Sequence, residues 1–93
     1  MFEYNMKMPT VRDFIEFAHK PMKLYGQITV NGKSKIGEFK PEWSRYSNQL
    51  EYQYYTPNGR KGTGGFTLKR AFDLFNAGRL SDNPEMGKPE NYI

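Results

Sequence analysis

The stretch from Lys23 to Phe39, KLYGQITVNGKSKIGEF, decides the fold. Leu24, Ile28 and Val30 share one parity, as expected of a half-buried strand. Asn31-Gly32 then gives the strongest short-range hairpin signal a sequence carries, and a second strand follows from Lys33 to Phe39. A two-residue turn would pair Val30 with Lys33 and place Ile36 on the face opposite Ile28. A three-residue loop with Gly32 in the left-handed position of a G1 bulge restores even-with-even pairing. That register puts Leu24, Ile28 and Ile36 together in the core, and is the expected one because a one-residue slip would bury lysines.

Working outward, Thr10 followed by Asp13 forms a capping pair, and a helix runs from about Val11 to Lys20. Val11, Phe14, Ile15, Ala18 and Met22 make its predicted apolar stripe. Pro21 ends it, because the residue before a proline avoids helical geometry. Downstream, Pro41 to Asn48 (PEWSRYSN) reads as a connection packed down by Trp43 and Tyr46. Gln49 to Tyr55 is a third strand by alternation, Thr56 to Gly59 a turn, and Gly62 to Phe66 a short fourth strand. A second helix, Leu68 to Ala77, is capped by Thr67 and stopped by Gly78. The expected class is α+β, in the order α-β-β-β-(β)-α: an antiparallel meander with both helices on one face. Residues 1–8 read as an N-terminal extension, 9–80 as the globular domain and 81–93 as a flexible tail.

Composition bounds the function. The chain has 93 residues, too few for two cores. Its aliphatic content is thin, and seven Tyr, seven Phe and one Trp supply the missing apolar area. With no cysteine there are no disulfides, thiol nucleophiles or thiolate metal sites. The N-terminus lacks a signal-peptide core and no apolar run is long enough for a membrane span, so a cytoplasmic protein is expected. The one histidine, His19, closes the first helix where the dipole favours positive charge. Neither a metal-ligand set nor a nucleophile motif is present, so the reading is of a protein that is not an enzyme and carries no cofactor or metal.

The net charge of +4 is unevenly spread, with the acids of the last 13 residues offsetting a more basic body. A basic body points to anionic partners, nucleic acid first. Two candidate surfaces follow. In Asn58–Arg70 (NGRKGTGGFTLKR), Arg60, Lys61, Lys69 and Arg70 accompany Gly64 and Gly65 without a single acid. Cations in the first turn of a helix oppose its dipole, and a bound phosphate would relieve that conflict. The second surface is the sheet face away from the helices, where the preferred register sets Tyr25 beside Lys33 and Lys35. Rings interleaved with lysines suit base stacking with phosphate neutralisation.

From Leu50 to Leu80 the alternating strand, GRKGTGG and TLKRA resemble, in topology, the double-stranded RNA-binding domain. Phe72 departs from that family's second helix, which carries a lysine there. The tight Asn31-Gly32 hairpin and the long Lys33–Asn48 connection depart as well. The expected function is thus a small basic nucleic-acid-binding protein. The alternative is a compact inhibitor or adaptor, of the kind phages and mobile elements encode, that docks on a host protein or nucleoprotein. Trp43, Tyr46 and Tyr55 would then be its interface anchors.

Overall fold

The computed structural model describes residues 9–92. The expected N-terminal extension, residues 1–8, lies outside them, as does Ile93. The described chain is a small α+β domain. Its elements are α1 (Val11–His19), β1 (Leu24–Val30), β2 (Lys33–Ser44), β3 (Gln49–Tyr55), β4 (Lys61–Thr67), α2 (Leu68–Asn76) and β5 (Leu80–Ser81), followed by two 3₁₀ turns, Pro84–Gly87 and Pro89–Tyr92. The strands form one antiparallel sheet in the order β4-β3-β2-β1-β5.

Local chemistry sets the ends of both helices. Thr10 Oγ1 accepts from the Asp13 N–H while the Asp13 carboxylate accepts from the Thr10 N–H, a complete capping box. Thr67 Oγ1 accepts from the Arg70 N–H to open α2, and Gly78, at φ 78°, ends it.

The helices meet the sheet through rings. Phe17 stands at the junction, with centroids 5.4 Å from Phe72, 6.3 Å from Phe75 and 6.1 Å from Tyr52. Phe14 meets Phe72 edge-on at 5.4 Å, and Phe39 lies between Tyr54 and Phe66 at 5.2 and 5.6 Å. Each such pair contributes about 0.5–1.5 kcal/mol beyond the area it buries. Leu24, Ile28, Ala71 and Leu80 complete the core.

Four features differ from the sequence reading. First, Asn31-Gly32 is a two-residue turn with φ of 52° and 77°, the positive pair a type I′ turn requires. Val30 therefore pairs with Lys33, Ile28 with Lys35 and Gln27 with Ile36. Ile36 lies on the face opposite Ile28, so turn geometry overrides hydrophobic parity. Second, α1 is rotated from its expected stripe. Phe14, Phe17 and Ala18 face inward, leaving Val11 76 % and Ile15 59 % exposed. Third, β2 continues through the expected connection to Ser44, pairing Pro41–Ser44 with Gln49–Tyr52 beyond Leu24, the first residue of β1. Fourth, the expected flexible tail is built into the fold. Leu80 and Ser81 pair with Gly26 and Tyr25, and Pro84–Gly87 packs on β1 and β2. There Gly87 is buried so closely that a Cβ would stand 2.9 Å from the Gly37 carbonyl oxygen.

The strand count places the second helix. Three strands would start α2 at the sheet end that holds the Asn31-Gly32 turn. The fourth strand returns the chain, so α2 begins at the opposite end, beside the β2–β3 turn at Arg45–Asn48.

Candidate functional site

Neither expected basic surface survives intact. Pairing of Lys33 and Lys35 with Val30 and Ile28 puts both lysines on the helix side of the sheet, and Lys35 Nζ lies 5.1 Å from the centre of the Tyr54 ring. Tyr25 is on the other side, half-buried, with an edge carbon against Gly87. The aromatic-basic platform is therefore absent, and the C-terminal turns cover part of the face it would have used. That face instead carries ion pairs. Lys23 Nζ is 3.4 Å from Glu38 and Lys61 Nζ is 3.5 Å from Glu42.

The glycine-rich basic stretch is also divided. Lys61 begins β4 with Arg60 just before it, whereas Lys69 and Arg70 lie past its end, roughly 20 Å away at the rise of a strand. Lys69 is already paired with Asp73 at 2.8 Å, four residues on along α2. Arg60 is exposed, and its N–H donates to Thr56 Oγ1.

What the structure brings together is a groove of about 520 Å³ at the β2–β3 end. Trp43, Arg45 and Tyr46 from the end of β2 and its turn line it together with Glu42, Glu51 and Gln53 and with Lys61, Gly64 and Gly65 of β4. In the strand register Trp43 pairs with Leu50, on the sheet face opposite the Glu42–Glu51 pair. Two of the expected protein anchors thus join three residues of the expected anion loop. Tyr55, the third anchor, stands behind: its hydroxyl donates to the Glu42 carboxylate, which pushes the phenol pKa up. Lys40 Nζ covers the same ring at 4.5 Å.

A bulge shapes this groove. Gln53 pairs with Gly65 and Tyr55 with Lys61, so Gly62, Thr63 and Gly64 together oppose Tyr54 alone. Small residues are obligatory here, since a Cβ on Gly62 would meet the Tyr54 ring at 2.5 Å and one on Gly65 the Tyr52 carbonyl oxygen at 2.7 Å. The Gln53 amide closes the bulge. Its Nε2 donates to Gly62 O at 2.8 Å and lies 3.2 Å from Gly64 O and Tyr54 O. Of the glycines that looked like a phosphate cradle, Gly65 is spent on close packing against the Tyr52 backbone and Gly64, at φ 95°, on the turn of the bulge.

Trp43 is 62 % exposed and Tyr46 fully so at 103 %. Glu42 and Glu51 face each other directly across β2 and β3, and the nearby cations Lys61 and Arg45 balance their charge. Sequence reading missed Glu42, Arg45, Glu51 and Gln53. Glu51 and Gln53 looked like solvent-side positions of a strand, and Glu42 and Arg45 fell in a segment read as a connection. Among the described residues no group of three or more His, Asp or Glu could hold a metal, and no helix is long and apolar enough to cross a membrane. No family model, curated protein or solved structure matches the chain.

Proposed function

We propose that this domain is a non-enzymatic protein-binding module, an inhibitor or adaptor in class, which grips its partner at the β2–β3 end. One observation carries the reading: Trp43 and Tyr46, the largest exposed rings among the described residues, are both among the residues that line the groove at the β2–β3 end. Trp, Tyr and Arg dominate the energetics of protein interfaces, and Arg45, exposed, lines the same groove. The charge-balanced groove suits a polypeptide better than a polyanion, which would meet Glu42 and Glu51. A chain without cysteines suits the cytoplasm.

A nucleic-acid reading keeps one specific support. Arg12, Lys20, Lys33, Arg45, Arg60, Arg70 and Arg79 form no ion pair among the described residues. They are spread over both ends of the sheet and over the helices, a distribution suited to encounter steering more than to a defined strand path.

A crossed capture experiment separates the readings. Trp43→Ala with Tyr46→Ala should abolish partner capture and leave weak, salt-sensitive nucleic-acid binding unchanged. Arg60→Glu with Arg70→Glu should slow protein capture only modestly. If instead the charge reversals abolish capture of nucleic acid that is tight at moderate salt, while the ring variants keep every interaction, the protein-binding reading fails.

A further inference from the structure

Two Asn-Gly pairs, Asn31-Gly32 and Asn58-Gly59, occupy exposed turns and carry the same intrinsic chemistry. The backbone nitrogen of the glycine can attack the asparagine Cγ. Solvent base takes the amide proton, an N–C bond closes a five-membered succinimide, and the Cγ–Nδ2 bond breaks to release ammonia. Water then opens the ring at either carbonyl, leaving aspartate or isoaspartate. The net change consumes one water and releases one ammonia, and needs no enzyme.

The two turns differ at the nucleophile. The Gly59 N–H donates to the Thr56 carbonyl at 2.8 Å, and two further bonds between Thr56 and Arg60 pin that turn. Attack there requires breaking a formed hydrogen bond in a cross-braced loop. Gly32 N donates to no other backbone group in its turn, although both glycines stand in equally open space and both turns are exposed, so the difference lies in the nucleophile's hydrogen bond. We infer that Asn31 is a site of spontaneous deamidation in this protein and that Asn58 is protected.

The position has a consequence. Asn31-Gly32 is the turn that sets the β1–β2 register. Isoaspartate lengthens the backbone of a two-residue turn by one carbon, and either product places a carboxylate two residues from Lys33. Ageing at this bond therefore loosens the hairpin on which the core alignment depends.

The test is incubation of the intact folded protein at mildly alkaline pH, followed by peptide mass spectrometry that scores the amide-to-acid mass gain at each site. The peptide spanning Asn31 should convert several-fold faster than the one spanning Asn58. In a parallel run in denaturant, where both turns are open, the two rates should converge. Amide hydrogen exchange on the folded protein should show Gly59 protected and Gly32 fast. Equal rates in the folded protein, faster conversion at Asn58, or a difference that persists in denaturant would each overturn the inference.

Discussion

Replacement of Gln53 by glutamate tests whether one side-chain amide holds the groove open. The substitution keeps the size of the side chain and removes its donors. In the wild type, Nε2 has two hydrogens and faces three carbonyls, with the Gly62 oxygen closest at 2.8 Å. At most two net hydrogen bonds are therefore lost, each contributing about 0.5–1.5 kcal/mol. A carboxylate also repels the same carbonyls, so Gln53→Glu should cost roughly 1–3 kcal/mol. For a domain of this size that lowers the melting temperature by roughly 5–20 °C. Gln53→Met, which fills the volume without introducing charge, should cost less than the glutamate. Urea titration gives the energies: the midpoint should fall with an unchanged slope, because the same surface is exposed on unfolding. Backbone amide shifts should move most at Gly62–Gly65. If Gln53→Glu stays within about 0.5 kcal/mol of wild type, the usual spread of neutral surface changes, with those shifts unmoved, the amide does not hold the bulge.

Other expectations follow from the same geometry. Burial pushes the Tyr52 hydroxyl up to about 12, while the unfolded chain titrates near 10. The unfolded state then loses its proton first, so stability should fall between pH 10 and about 12, and Tyr52→Phe should flatten that loss in calorimetric scans. The same variant should cost about 1 kcal/mol at neutral pH, since the hydroxyl donates to the Met22 carbonyl at 2.6 Å. Phe17→Ala should cost roughly 3–5 kcal/mol in urea titrations, because this ring joins both helices to the sheet. Arg70→Glu should leave stability unchanged or raise it by up to about 1 kcal/mol, as acids suit a first helical turn. Lys69→Glu should gain less, because it exchanges the Lys69–Asp73 pair for two acids four residues apart.

The sequence disclosed those parts of the fold that local chemistry decides. Thr10 with Asp13, Thr67 and Gly78 marked the helix ends because capping depends on residues within a turn of one another. The register of β1 and β2 departs from hydrophobic parity because the two-residue Asn31-Gly32 turn outweighs it. The lysines that parity seemed to bury are accommodated instead, with Lys35 reaching over Tyr54 and Lys33 exposed beside the turn. In α1, stripes through Val11 and Ile15 or through Phe14 and Phe17 were both helical, and the larger rings took the core. The C-terminal segment carried no periodic signal because its packing depends on a close approach between Gly87 and Gly37, residues far apart in the chain. The groove was hidden for a related reason. Its glycines resemble an anion loop in sequence, and only the pairing of β3 with β4 shows them spent on a bulge.

The fluorescence of Trp43 tests the protein-binding reading most directly, since it is the only tryptophan in the chain and borders the groove. In the free protein its emission should be that of a solvent-exposed indole and should be quenched readily by acrylamide. Addition of a partner protein recovered by capture on the wild-type domain should shift the emission to the blue and shield the ring, and a short single-stranded DNA should do neither. A complex with that partner in which Trp43 stays as exposed and as quenchable as before would contradict the placement of the interface at the β2–β3 end.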